Sequence, residues 1–337
     1  MSTQKITSME VAKLAGVSQS AVSRVFTPGA SSSKKTNELV RKAAAELGYR
    51  PNVLARSLIT GKSRMIGLVV AYLDNYFYPE ALELLSSALQ KKGYHVLIFM
   101  SGNKEGDIAD AVDEILDYQV DGIIAASVSM SSDLAKRCTS AGVPVVLFNR
   151  TQDDDRLSAV TSDNFQGGQK VARFLLAGGH KRIGYIAGWE GASTQRDREK
   201  GFTEELVRNG QELYAREVGN FNSDEARQAA RTMFSKKNFP DAVFVANDAM
   251  AIAVIDVIRF ELGLQVPEQV SVVGYDDVPI SSWPAYDLTT VRQPANRMVA
   301  ETVSILIESI ENKTTTARRI EIDGPLMVRG SAKISDK

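Results

Sequence analysis

From Met65 onward, short and almost wholly apolar runs alternate with longer stretches of helical periodicity, and this alternation restricts the fold more than any other feature. The runs are IGLVVAYL (66–73), VLIFMS (96–101), GIIAAS (122–127), PVVLFN (144–149), AVTSD (159–163), RIGYIAG (182–188), AVFVAN (242–247) and VSVVGYDD (270–277). Segments such as PEALELLSSALQKKG, NFQGGQKVARFLLAGG and AMAIAVIDVIRFELG fill the intervals with helical patterns. Such alternation is the signature of parallel sheets joined by crossover helices. Eight units exceed one convenient sheet, and the polar turn from Asp153 to Ser158 is the expected seam between two subdomains. The closing TTVRQPANRMVAETVSILIESIENK and RRIEID add a strand, a helix and a strand.

Open α/β sheets bind ligands beyond the carboxyl ends of their strands. The residues to watch are therefore those that follow the runs: Tyr72 to Phe77, Asn149-Arg150, Asn247-Asp248 and Asp276-Asp277.

The net charge of -1 conceals a division along the chain. Residues 1–64 hold eleven Lys and Arg against Glu10, Glu38 and Glu46, so the remainder carries 29 of the 40 basic and 38 of the 41 acidic residues. A basic head on an acidic body points to a polyanionic partner for the head alone. In that head, Thr7-Ser8-Met9-Glu10 has capping-box spacing and predicts a helix over Ser8 to Ala15. Gly16 supplies a turn, and Ser18 caps a second helix running to about Phe26, the outline of a helix-turn-helix. On the second helix Val22 and Val25 point inward, while Gln19, Ser20, Ser23 and Arg24 share the opposite face. Each of these four can hydrogen-bond a base edge or a phosphate, although a plain solvated face would have the same composition.

The single cysteine, Cys138, has no disulfide partner in the chain and no metal-ligand spacing, so it is expected to be a structural thiol, with no metal or cofactor. No apolar run approaches the roughly 20 residues of a membrane span, and polar breaks interrupt MSTQKITSMEVAKLAG; the expectation is a cytoplasmic protein with no membrane partner. Of two histidines, His95 begins a strand and His180 lies in a Gly-Gly-His-Lys-Arg turn, where it is expected to satisfy backbone groups. No phosphate-loop, metalloprotease or nucleophile-elbow motif is present, so no catalytic residue is assigned and the chain is not read as an enzyme.

Val11-Ala12, Ala15-Gly16-Val17-Ser18, Val22-Ser23-Arg24-Val25, Thr36, Val40, Ala44, Glu46-Leu47-Gly48-Tyr49, Pro51-Asn52, Ala55 and Leu58 resemble, in order, the DNA-binding headpiece of the lactose-repressor and galactose-repressor family. Ser8 departs from the apolar residue usual there, which is expected to loosen packing, and Phe26-Thr27 departs from Leu-Asn or Val-Asn. The resemblance implies an all-α helix-turn-helix headpiece (1–50), a hinge helix and linker (51–64), and a two-lobed α/β domain like that of periplasmic binding proteins (65–330). It divides the latter into an N-lobe, about 65–160 plus 294–322, and a C-lobe, about 161–293 plus 323–330, with three crossovers. The DNA contacts it implies are Thr7, Ser18, Gln19, Ser20, Ser23 and Arg24 in the headpiece and Asn52, Ala55, Arg56 and Leu58 in the hinge. An isolated helix as short as Asn52 to Leu58 is marginal in water, so it would form on DNA beside its dimer mate, with Leu58 as a minor-groove wedge.

Positions matching the family's effector contacts are Asn75, Phe77, Asn149, Arg150, Thr194, Arg196, Arg198, Phe221, Asn247, Asp276 and Gln293. Their chemistry suits a sugar, and the three arginines extend the choice to a sugar acid or sugar phosphate. The alternative is that Arg150 pairs with the 153–155 acidic run or Asp276, and that Arg196 and Arg198 pair with Asp197 or Glu199. The function so implied is a homodimeric transcription regulator, a repressor by the family's commoner mode, on a near-palindromic double-stranded operator. An activator or a sugar-binding transport protein is the alternative. Only seven residues follow Gly330, without a heptad pattern, so a tail-mediated tetramer is not expected.

Overall fold

Thr7 and Glu10 open the first helix, α1 (Ser8–Ala15), with a reciprocal cap: the Glu10 N–H donates to the Thr7 hydroxyl at 3.4 Å, and the Thr7 N–H to the Glu10 carboxylate at 2.7 Å. Gly16 ends it at φ 66°, a left-handed conformation that a residue without Cβ adopts at little cost. Ser18 caps α2 (Gln19–Val25) and Ser33 caps α3 (Lys34–Leu47). Val11, Ala12 and Ala15 meet Val22 and Val25, with Val40, Ala43 and Ala44 closing the core. This is a computed structural model describing residues 6–27, 30–51, 61–71, 73–101, 105–128, 130–152, 156–312 and 316–334. The chain separates into two compact units, Met1–Ser63 and Arg64–Lys337.

The second unit holds two six-stranded sheets. The first comprises β1 (Met65–Val70), β2 (His95–Met100), β3 (Gly122–Ala126), β4 (Val145–Phe148), β5 (Ser158–Ser162) and β11 (Arg319–Ile322), in the order β11-β5-β4-β3-β1-β2 and parallel throughout. The second comprises β6 (Ile183–Ala187), β7 (Ala215–Val218), β8 (Ala242–Val245), β9 (Ser271–Asp276), β10 (Thr289–Arg292) and β12 (Leu326–Met327), in the order β12-β10-β9-β8-β6-β7. Only the short β12 runs antiparallel to its neighbour. The helices are α4 (Phe77–Lys91), α5 (Glu105–Asp117), α6 (Ser132–Ser140), α7 (Asn164–Ala177), α8 (Ser193–Arg208), α9 (Ser223–Phe234), α10 (Asp248–Asp256) and α11 (Ala295–Asn312).

The chain passes between the sheets three times: from β5 into α7, from β10 into α11, and from β11 to β12. The seam expected at Asp153 to Ser158 is not one of these passages. β5 begins inside that turn and pairs with β4, so the first sheet continues to Ser162 and the chain leaves it at Asp163. β7 is an additional strand that the apolar runs do not include. It lies at the edge of its sheet and is only partly buried, so its sequence, AREV, carries no apolar run.

α7 and α8 cross at van der Waals contact because each presents a glycine to the other. A Cβ on Gly168 would lie 2.2 Å from the Arg198 carbonyl oxygen, and one on Gly201 would lie 2.0 Å from that of Phe165. This crossing sets Arg198 against Asn164, its Nε donating to Asn164 Oδ1 at 2.8 Å.

Candidate functional site

On α2, Val22 and Val25 are buried, whereas Gln19, Ser20, Ser23 and Arg24 are exposed, the division their spacing predicts. Ser18 accepts from the Ala21 N–H at 3.2 Å and its hydroxyl lies 3.0 Å from that of Ser20. Arg24 Nε donates to the Ser20 carbonyl at 3.3 Å, which lays the guanidinium along its own helix. Thr7 has its hydroxyl engaged in the α1 cap. Ser8, which departs from the apolar residue usual there, accepts from Gln19 Nε2 at 3.0 Å through its hydroxyl, joining α1 to α2. The other departure, Phe26, packs on Tyr49 with ring centroids 5.9 Å apart. Asn52, Ala55, Arg56 and Leu58 lie outside the described residues.

Among the described residues of the second unit, six of the nine non-glycine residues with positive φ lie at the carboxyl ends of strands: Ser127 after β3, Asn149 after β4, Asn220 and Phe221 after β7, and Asp276 and Asp277 at the end of β9. Such backbone persists where the surroundings over-determine it, and it marks the rim where an α/β fold holds its ligand. Asp276 is the hub. Its carboxylate accepts from Gln293 Nε2 at 2.6 Å and from Asn75 Nδ2 at 3.1 Å, and lies 3.8 Å from Arg198 Nη2. Asn75 follows β1 and Asp276 ends β9, so this contact spans the two lobes. Burial pushes the Asp276 carboxyl up to about 7; Arg198 opposes the shift and the nearby buried Asp248 adds to it.

Arg198 is buried, its Nη1 donating to the Ala246 carbonyl at 2.5 Å and its guanidinium lying 3.7 Å from the Tyr275 ring centroid. A second contact between lobes joins Arg150 Nη1 to Thr194 Oγ1 at 2.6 Å, beside Thr151 N–H donating to Ser193 Oγ at 2.9 Å. The Phe221 ring centroid lies 5.8 Å from the Arg150 guanidinium, and the ring occupies the space that a Cβ on Gly188 would need. Asn149 Oδ1, Asn247 Nδ2 and Gln293 Oε1 are buried and have no hydrogen-bond partner among the described residues. Buried amide groups of that kind are the atoms a polar ligand would satisfy.

Two expected positions fall elsewhere. Phe77 is a core residue, stacked on Phe148 at 6.2 Å and edge-on to Tyr78, because it is the first residue of α4 and packs beneath the sheet. Arg196 is exposed, with Nε donating to Asp197 at 2.9 Å, and it lines an open groove of about 380 Å³ with Glu199 and Arg216. Sequence reasoning omitted Ser193, Asn164 and Tyr275. Asp248 it noted only as following a strand; buried behind Asp276, it accepts from the Ser281 and Thr290 hydroxyls, both at 2.6 Å. Nor does His180 serve the backbone through its ring as expected: its Nδ1 lies 3.2 Å from Asp241, whose carboxylate receives the Lys181 and Arg182 N–H groups. Burial holds that imidazole below its ordinary pKa.

A helix-turn-helix unit on the same chain as a two-lobed α/β domain whose lobes meet in buried polar contacts defines a DNA-binding transcription regulator as a class. Sequence profiles agree: residues 7–52 match that of bacterial regulatory proteins, lacI family, and residues 172–332 that of a periplasmic binding protein-like domain. The chain is 31% identical to the HTH-type transcriptional repressor PurR of Pasteurella multocida (strain Pm70), over 96% of this chain and 98% of that one. It is 32% identical to the HTH-type transcriptional regulator CelR of Thermobifida fusca, over 95% and 96%. Among solved structures it resembles a lac repressor dimer bound to operator and the anti-inducer ONPF (TM-score 0.88, 28% identity, 97% of this chain and 99% of that one). It also resembles a CelR–cellobiose complex (TM-score 0.73, 31% identity, 97% and 100%). The chain belongs to the lacI family of bacterial regulatory proteins, and its fold, headpiece and two-lobed domain are that family's.

Proposed function

We propose that this regulator is a cytoplasmic repressor rather than an enzyme, binding a near-palindromic operator as a homodimer and releasing or gripping it in response to a sugar in the cleft. The carrying observation is the set of buried amide atoms of Asn149, Asn247 and Gln293 that lack partners among the described residues, with Gln293 bonded to Asp276 and Asn247 following the Ala246 carbonyl that receives Arg198. Two open acceptors and one open donor suit the hydroxyls of a polyol, which both donate and accept. Relatives named as repressors and a relative complexed with cellobiose support the reading. No helix among the described residues is long and apolar enough to cross a membrane, which is consistent with it.

The option of an anionic effector weakens on the geometry. Arg196 is turned to Asp197 and Arg198 faces Asp276, so two of the three arginines already have a carboxylate. A neutral sugar is therefore favoured over a sugar acid or phosphate. A thermal-shift screen over all three classes tests this: at a concentration of 100 times Kd a ligand stabilises by about 2.7 kcal/mol, an easily read shift. A shift produced only by acids or phosphates would reverse the choice.

For the headpiece, the proposal assigns base reading to Gln19, Ser20 and Arg24, phosphate or flanking contacts to Thr7, Ser18 and Ser23, and hinge contacts to Asn52, Ala55, Arg56 and Leu58. Arg24→Ala is expected to lose about 1–3 kcal/mol on the specific operator while non-specific binding changes little. Unchanged operator affinity in a titration at fixed salt would remove Arg24 from the reading set.

A further inference from the structure

We propose that Ser8 is a positioning residue for sequence recognition: by accepting a hydrogen bond from Gln19, its hydroxyl braces the Gln19 amide and so sets the preference for adenine at one operator position. This rests on the reading of α2 as the recognition helix. Gln19 Nε2 lies 3.0 Å from Ser8 Oγ, the two residues being eleven apart in sequence and on different helices. Two other polar side chains of that face are held from within α2 or its cap: Ser20 by Ser18, and Arg24 by the Ser20 carbonyl. Among the described residues of this face, Gln19 alone is braced from α1.

The chemistry follows from the inventory of an amide. Nε2 carries two hydrogens and Oε1 two lone pairs. With one hydrogen given to Ser8, the other hydrogen and the oxygen remain side by side, the pair that matches N7 and N6 of adenine in the major groove. A free glutamine must give up its rotamer freedom when it binds, and can use other orientations to meet other bases. A braced one has lost that freedom in advance. The α1 cap does not use the Ser8 hydroxyl, because Thr7 and Glu10 form it, and the bond to Gln19 is exposed.

The test is selection of operators from a randomised pool by the full-length protein, comparing wild type with Gln19→Ala, Ser8→Ala and Ser8→Thr. Gln19→Ala identifies the base pair that Gln19 reads. At that position Ser8→Ala is expected to lower the preference for adenine by about five- to tenfold, part of the discrimination a bidentate amide contact supplies. It should leave the Arg24-dependent positions and the melting temperature unchanged. Ser8→Thr, which keeps the hydroxyl, is expected to restore the preference, and Ser8→Ala should add nothing to Gln19→Ala. An unchanged preference in Ser8→Ala overturns the inference while leaving Gln19 as a base reader. Relaxation at a different base pair overturns it in favour of direct reading by Ser8. If Gln19→Ala relaxes no position, the reading of Gln19 fails and the role of Ser8 with it.

Discussion

Gly201→Ala is expected to destabilise the two-lobed unit by about 2–3 kcal/mol, the upper part of the range of about 1–3 kcal/mol for overpacking a well-filled contact. Alanine is favoured over glycine inside a helix by about 1 kcal/mol, so propensity alone would predict the opposite sign. The clash decides the outcome: the added methyl would meet the Phe165 carbonyl oxygen at 2.0 Å and its carbon at 2.8 Å, and both are backbone atoms that cannot turn aside. Relief requires α8 to move from α7, and α8 carries Thr194 and Arg198. The same substitution should therefore weaken effector binding although it touches no ligand. A melt of the full-length protein is expected to shift down by roughly 5–10 °C for a unit of this size. An unchanged melting temperature would show that the two helices are not in contact here.

The parts of the fold that could be read from sequence are those encoded locally. The capping box at Thr7 and Glu10, the inward valines of α2 and the apolar strands are each fixed by spacing within one segment. The passages between lobes are not. β5 and β6 look alike as apolar runs, and only the pairing of β5 with β4 places one of them in the first sheet. In the cleft, Asn149, Asn247 and Asp276 were legible because they follow strands. Arg196 and Arg198 show where a motif misleads: residues two apart on a helix point about 200° apart, so both cannot face one cleft. Arg198 shares its face with Thr194, four residues earlier, and that is the side turned inward. The Ser8–Gln19 bond joins residues eleven apart and has no signature in either helix taken alone.

Asp276→Asn is expected to reduce effector affinity about 100-fold and to remove its dependence on pH. A hydrogen bond to a charged group contributes about 1.5–3 kcal/mol, and a carboxylate can hold two adjacent hydroxyls. The wild-type carboxyl, raised to about 7 by burial, changes charge in the range where binding would be measured. Effector affinity should therefore rise between about pH 6 and about pH 8 as the carboxylate forms. Stability of the ligand-free protein must run the other way. The folded state holds its proton up to about 7, whereas an unfolded aspartate releases it near 3.9, so this group's contribution is complete below about pH 4 and is lost as pH rises to about 7. The two trends overlap between about pH 6 and about pH 7, where the ligand-free protein is still losing stability while the cleft gains affinity, and the effector-induced rise in melting temperature should grow with pH there. Asp276→Asn removes the buried charge and both trends together: its ligand-free melt should not fall between about pH 4 and about pH 7 on this group's account, and the sugar found in the screen should no longer shift it. An Asn variant that kept the wild-type affinity and pH slope would show that the effector does not use this carboxylate. Asp276 would then serve only to hold Asn75, Gln293 and Arg198 across the lobes.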